Sequence, residues 1–271
     1  MPGVPSSSAG GFTVSREAII AVLRGAMEAR PEVCAMFLAG SDATGRTDAG
    51  SDVDACVIAA DEAVESTLEA ASLALGALAP IASRYRLPEP TWHGHSQCFY
   101  LLEGADPRHM VDLVVMRRSA PDRLLEPERH GTPRVLFDRE GLVVPATLDR
   151  VGLRERMAAQ LDALTARSVI FRALVPKALD RGHVAEAMHF YLGMTWRPLV
   201  DVVRMIHCPE RFDFGPRYLD RDVPAEWRAR IERLALAGSA EELREHHGEA
   251  AGLLEALLPE ARARVEGCGG S

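Results

Sequence analysis

Apolar residues recur at Ala18, Ile19, Val22, Leu23 and Met27, the spacing of one face of a helix. The pattern predicts a helix over 15–29, with Ser15 placed to cap it and Pro31 beyond its end. The period then changes. "VCAMFLAG" (33–40) is a continuous apolar run stopped by glycine, and "DACVIAA" (54–60) is another; both read as central strands. Residues 61–84 open on Asp61 and Glu62 and continue with helix formers, which predicts a helix. "CFYLLE" (98–103) and "HMVDLVVMR" (109–117) predict two strands joined by the turn "GADPR". "RVLFDREGLVV" (134–144) predicts one more strand, with a turn at 138–141.

After Pro145 the period is helical throughout. Helices are expected over 150–179, broken near Pro176, and over 184–207, 225–236 and 240–265. Between them lies "CPERFDFGPRYLDRDVP" (208–224), a loop dense in Pro, Asp and Arg. The fold class expected is α+β. A mixed β-sheet with flanking helices spans 12–147, and an all-helical C-terminal domain spans 148–266. Residues 1–11 and 267–271 read as flexible tails.

Composition narrows the class. At 271 residues, 47% hydrophobic and 26% charged, the chain can bury a sizeable core. Its longest small-apolar stretch, "ASLALGALAPIAS", is broken by Gly76 and Pro80 and falls short of the roughly 18 residues a membrane span needs. "MPGVPSSSAGG" carries no basic region followed by an apolar one, so no secretory signal is expected and a cytoplasmic location is. Five cysteines at scattered spacings suggest reduced thiols rather than a disulfide framework.

Charge adds a direction. The net charge is −8, and residues 1–144 hold twenty acids against thirteen arginines, a net of −7. Such a balance argues against nucleic acid as partner and favours cations, either metal ions or a polycationic small molecule. Of the 31 basic residues only Lys177 is a lysine. A compact ammonium kept where arginine serves everywhere else suggests a site for a point charge.

The densest chemistry lies in "AGSDATGRTDAGSDVDACVIAA" (39–60). Alternation along a strand puts Asp52 and Asp54 on one face. Two carboxylates there repel each other and are costly to desolvate, and a divalent cation resolves both problems. Mg²⁺ takes one or two carboxylates plus phosphate oxygens. Asp112, inside the apolar run "MVDLVV", is a third acid that would complete a two-metal or metal-plus-base site. Gly40 lets backbone N–H groups approach a phosphate and Ser41 can donate its hydroxyl to it. A calcium-loop reading from Asp42 fails, because Arg46 falls where a ligand oxygen is needed.

Taken in order, "LAGS", "SDVD" and "VDLVV" resemble the signature of the DNA polymerase β-like nucleotidyltransferase superfamily: a Gly-Ser turn after a strand, about ten residues, Asp-x-Asp, then an acid on a separate strand. Within it the chain looks most like bacterial aminoglycoside and lincosamide adenylyltransferase-like proteins. The motif resemblance covers roughly residues 33–144. It implies a nucleotidyltransferase-type sheet domain followed by helices. It also implies an enzyme that moves a nucleoside monophosphate from ATP or another NTP to a hydroxyl of a small molecule, for which a cationic acceptor such as an aminoglycoside is the expectation. Asp52 and Asp54 would hold Mg²⁺, with Asp112 as ligand or base. Gly40 and Ser41 would hold phosphates, and Lys177 would reach the triphosphate from the helical domain. The alternative is a catalytically silent protein of that fold, regulatory or antitoxin-like.

Other groups are weaker. "WHGHSQC" (92–98) brings His93, His95 and Cys98 together, but no second pair follows at zinc-site spacing, and the segment could instead line the acceptor side. Arg217 and Tyr218 are secondary candidates, beside Lys177, for the cleft that would hold the triphosphate. "REHHG" (244–248) reads as a solvated helix face, and Phe190, Tyr191 and Trp196 read as core.

Overall fold

The computed structural model describes residues 11–267, so the expected tails lie almost wholly outside the described residues. Two compact units divide the chain, Met1–Leu148 and Asp149–Ser271. The architecture is α+β: a six-stranded mixed sheet with flanking helices, then a helical C-terminal region.

In the first unit, α1 (Arg16–Glu28) begins where Ser15 Oγ accepts from the Ala18 N–H at 3.1 Å. The strands are β1 (Val33–Leu38), β2 (Val53–Ala59), β3 (Ile81–Arg86), β4 (Ser96–Leu102), β5 (Val111–Arg117) and β6 (Arg134–Asp138), with sheet order β3-β4-β5-β2-β1-β6. Only β2 and β5 run parallel; every other neighbour is antiparallel. α1 and α3 (Val64–Leu78) cover one face. Their apolar stripes meet Val53, Ala55 and Val57 of β2 and Val111, Leu113 and Val115 of β5. Burying each such side chain contributes about 1.5–3 kcal/mol. The opposite face carries a smaller cluster that includes Phe37, Cys56, Ile58 and Met116.

Two local readings change. The helix expected over 61–84 stops at Leu78, and residues 81–86 form the edge strand β3. Pro80 offers no N–H to carry the helix on. Residues 40–44, expected as a loop, wind into one short helix, α2 (Gly40–Thr44), closed by Gly45 at φ +65°.

The second unit contains α5 (Arg150–Phe171), α6 (Leu174–Asp180), α7 (Val184–Tyr191), α8 (Arg197–His207), α9 (Leu219–Asp222), α10 (Ala225–Ala235) and α11 (Ala240–Gly267); a single turn in the first unit, Pro127–His130, is α4. The break between α5 and α6 follows from Pro176, which has no N–H for the Arg172 carbonyl. His247 Nε2 takes that carbonyl instead, at 3.1 Å, while its Nδ1 pairs with Thr195 Oγ1 at 3.2 Å. This corrects the solvated reading of "REHHG": His246 and His247 are both buried. Thr195 lies in a π-helical turn, Leu192–Trp196, that interrupts the single helix expected over 184–207. Tyr191 is core as expected, its hydroxyl donating to the Leu234 carbonyl at 2.6 Å.

The loop at 208–224 is pinned from within. Arg204 and Asp222 form an ion pair with neither side chain exposed. Arg204 also donates to the carbonyls of Arg211 (2.7 Å) and Arg217 (3.1 Å), and Arg211 donates to Asp222 at 3.0 Å. Among the described residues no helix is long and apolar enough to cross a membrane.

Candidate functional site

The three predicted acids belong to the first unit, at the end of the sheet where β2 and β5 begin. Strand β2 starts at Val53, so Asp52 stands at its entry and Asp54 one position inside. Asp54 pairs in register with Asp112 across the parallel β2–β5 ladder. In a strand neighbours alternate faces, so both acids share the face of Cys56 and Ile58, away from α1 and α3. Adjacent strands lie about 4.8 Å apart, which makes the two carboxylates near neighbours.

Gly40 completes this approach. Its φ is +52°, and a Cβ built on it would stand 1.8 Å from Asp54 Oδ2. Glycine is therefore required twice, by the backbone angle and by the carboxylate lying against it. The link continues through the backbone, where the Ala39 N–H donates to the Asp54 carbonyl at 2.9 Å. Ser41 follows in α2, and its hydroxyl oxygen is buried with no hydrogen-bond partner. A hydroxyl shielded from solvent and left without a partner is uncommon.

A cationic clamp holds this end of the sheet. Arg16, buried at the start of α1, donates from Nε to the Asp52 carbonyl at 2.9 Å and pairs with Asp42 through Nη2. Asp42 also meets Arg134 of β6 at 3.3 Å. The guanidinium thus ties α1, α2 and the entry of β2 into one piece; its direct ion pair is with Asp42, and it acts on Asp54 only through space.

Electrostatics reflect that choice. The Asp54 carboxyl is pushed up to about 7, by burial first and then by the charges of Asp52 and Asp112, with Arg16 opposing. Asp112 is also raised, mainly by burial, against the pull of a hydrogen bond from Gln97. The Cys56 thiol, two residues along the same face from Asp54, is raised by burial and then by the charges of Asp54 and Asp112. Among the described residues, no group of three His, Cys, Asp or Glu side chains is arranged to hold a metal ion. The chemistry of the donor set nevertheless fits a hard cation: carboxylate oxygens only, crowded at low dielectric and costly to ionise together.

The remaining predictions separate. His93 is linked to Asp112 through Gln97, with His93 Nε2 to Gln97 Oε1 at 2.9 Å and Gln97 Nε2 to Asp112 Oδ1 at 2.6 Å. Cys98 points the other way, into the core under α1 and α3, so it does not join His93 and His95 in a zinc half-site. Cys34, Cys56, Cys98 and Cys208 are all free and buried. Lys177 is exposed on α6 of the second unit and is not among the groups that the first unit brings together. Arg217 lends its carbonyl to Arg204, and Tyr218, at φ +61°, has the Arg221 guanidinium 3.8 Å from its ring centroid.

Sequence reasoning passed over Arg16 and Gln97. Nothing in "SREAII" distinguishes Arg16 from an exposed helix residue. Gln97 did leave a signal, a polar residue entering an apolar strand on the alternation of Phe99, which pairs with Asp112.

No protein-family model and no curated protein matches the chain. Among solved structures, an aminoglycoside 6-adenyltransferase from Bacillus subtilis is similar over 93% of this chain and 90% of its own, at 12% identity and a TM-score of 0.35. At that score the likeness carries no argument about substrate or chemistry.

Proposed function

We propose that the chain is a Mg²⁺-dependent nucleotidyltransferase that moves a nucleoside monophosphate, from ATP in the first instance, to a hydroxyl of a small molecule and releases pyrophosphate. One observation carries the reading: Asp54 and Asp112 stand in register on adjacent strands while Asp54 lies against the bare backbone of Gly40. The buried, unpartnered Ser41 hydroxyl one residue on supports it, as does the order of motifs in the sequence.

Asp52, Asp54 and Asp112 would hold the metal. A bound Mg²⁺ supplies charge neutralisation to the α-phosphate and to the leaving pyrophosphate. The chain's own groups do the rest. Gly40 leaves room for the Asp54 carboxylate against the backbone, and Ser41 would donate its hydroxyl to a phosphate oxygen. Asp112 either shares the metal or accepts the proton of the acceptor hydroxyl. Arg16 keeps the Asp52 backbone and α2 fixed, so that the reactants meet a preorganised site. The acidic first half suits a cationic acceptor, of which an aminoglycoside is one example.

The test is pyrophosphate release from Mg²⁺–ATP by the full chain against a panel of hydroxylated amines, sugars and aminocyclitols. Turnover that needs both Mg²⁺ and an acceptor is the expected result. Nucleotide binding without turnover for any acceptor leaves the silent, regulatory protein of this fold as the better reading.

A further inference from the structure

The connection from His93 to Asp112 has a direction that the hydrogen-bond chemistry fixes. The His95 backbone N–H, which can only donate, points at His93 Nδ1 at 3.1 Å. Thr91 Oγ1 lies 3.3 Å from the same nitrogen, but its single proton goes to the His95 carbonyl at 2.6 Å. His93 Nδ1 is therefore an acceptor, and the ring proton of the neutral imidazole sits on Nε2. That proton is donated to Gln97 Oε1 at 2.9 Å. With its oxygen engaged, the Gln97 amide must turn its NH₂ outward, and Nε2 donates to Asp112 Oδ1 at 2.6 Å. Each link leaves one arrangement for the next.

The chain is also well anchored. Gln97 and His95 are buried, and the rings of His93 and His95 stack at 5.3 Å. The loop from Thr91 to His95 thus carries a backbone amide and an imidazole that orient the carboxamide of Gln97, on β4, toward a single carboxylate oxygen.

We propose that Gln97, oriented by His93, is a positioning residue for Asp112: it occupies Oδ1 and presents Oδ2 as the oxygen that works in the transfer reaction. This rests on the nucleotidyltransferase reading and deepens it. A carboxylate with both oxygens free can rotate about χ2 between equivalent poses; one oxygen held by a charge-assisted bond removes that freedom. The amide is a donor only at this contact and engages one lone pair of Oδ1, which leaves Oδ2 the freer oxygen for the bond Asp112 makes to the reactants. In the transfer itself the acceptor O–H bond breaks and its proton leaves to base or solvent. A bond forms between that oxygen and the α-phosphorus, and the bond from the α-phosphorus to the bridging oxygen breaks with pyrophosphate carrying the electron pair.

The experiment compares full-length wild type with Gln97→Met, Gln97→Glu and His93→Ala. Methionine keeps the length and bulk of Gln97 without its donor. The first readout is pyrophosphate release from Mg²⁺–ATP with whichever acceptor supports wild-type turnover. Gln97→Met is expected to lower kcat by about tenfold to a hundredfold, the scale of a misplaced catalytic group, with KM for Mg²⁺–ATP within about twofold. Gln97→Glu, which sets a like charge against Asp112, should do worse. His93→Ala should fall between wild type and Gln97→Met, because Gln97 can still donate but is no longer turned. The second readout needs no turnover: the side-chain amide resonance of Gln97 in a ¹⁵N–¹H spectrum should lie downfield in wild type and move back in Asp112→Asn and in His93→Ala. Wild-type kcat in Gln97→Met would overturn the proposal and leave Gln97 as packing. An unshifted Gln97 amide in Asp112→Asn would overturn it as well. A wild type that turns over no acceptor, with the amide shifts as expected, instead overturns the nucleotidyltransferase reading.

Discussion

Two aspartates sit in opposite circumstances. Asp222, in the helical unit, has no exposed side-chain surface and is neutralised by Arg204 and Arg211. Asp54, in the sheet unit, is half-buried, and the charges that press on it most are those of Asp52 and Asp112, with Arg16 opposing. In sequence the first segment reads as a loop dense in Pro, Asp and Arg and the second as acids bordering an apolar strand. The structure separates them by what faces each carboxylate. A paired acid in the interior orders a loop; acids gathered without a cation of their own store an electrostatic cost that a ligand can relieve. Asp42 sharpens the contrast from within the first unit. It lies twelve residues before Asp54 in the chain, but Arg16 and Arg134 neutralise it, and it belongs to the scaffold.

The largest expected effect breaks the unpaired side. Asp54→Asn should reduce turnover at least about a thousandfold, within the range for losing a central catalytic group. Its metal-free stability should hold or rise, since repulsion with Asp52 and Asp112 is relieved. The same contrast has a pH signature. The folded-state value of Asp54, about 7, lies above that of an unfolded aspartate. Between roughly pH 4 and 7 the unfolded chain has released this proton and the folded chain still holds it, so metal-free stability falls as pH rises through that window. Below it the contribution is fully present, and above about 7 the loss levels off. Thermal melts from pH 4 to 8 should show a steeper decline for wild type than for Asp54→Asn. Parallel curves would mean that Asp54 is not the strained acid.

Breaking the paired side should do the reverse. Asp222→Asn leaves the Arg204 and Arg211 guanidiniums without their counter-charge in the interior, at a cost of about 3–5 kcal/mol. Denaturant unfolding followed by circular dichroism measures it. A loss below about 1 kcal/mol would show that the carbonyls of Arg211 and Arg217 suffice for Arg204.

Gly40→Ala tests how the unpaired acids are held. The substitution forces φ +52° on a residue with a Cβ and drives that atom into Asp54 Oδ2. The strain and overlap should cost about 1–3 kcal/mol, and the displaced carboxylate should cost about a hundredfold in rate. Melting temperature and kcat/KM measured on one preparation separate the two. Unchanged kcat/KM would mean that Asp54 does not need the glycine.

Much of this was legible from the chain. The apolar runs at 33–38, 53–59 and 111–117 are buried strands, and a buried strand announces itself by an unbroken run. The three acids could be picked out because each interrupts or borders such a run. β3 was not legible. It is an edge strand with both faces largely exposed, so "IASRYR" shows no alternation, and the Ala- and Leu-rich segment before it pulled the reading toward helix. The hydrogen-bond chain from His93 was hidden for a different reason. His93 and His95 suggested metal chemistry by residue type, whereas their partners are a backbone amide and an amide side chain that no spacing rule picks out. The burial of His247 likewise depends on a carbonyl freed by Pro176, some seventy residues away in sequence.

The smallest expected effect concerns the one lysine among 31 basic residues. Lys177 is exposed on α6, and the second unit's structure assigns it no duty there, in contrast to the arginines that hold Asp222, Asp201 and Glu249. If its ammonium serves a phosphate, it does so as a point charge, for which arginine's planar fork is an imperfect substitute. Lys177→Ala should then raise KM for ATP about threefold to tenfold, on the scale of 1 kcal/mol for one solvated charge contact, with the melting temperature unchanged. Lys177→Arg should restore part of the loss, although arginine is accepted at every other basic position in this chain. The contact, if it is made to the β- or γ-phosphate, is absent for AMP, so calorimetry should find equal AMP affinity in wild type and Lys177→Ala but weaker ATP affinity in the variant. Equal ATP affinity in the two proteins would make Lys177 an ordinary surface residue and confine the nucleotide chemistry to the groups around Asp54.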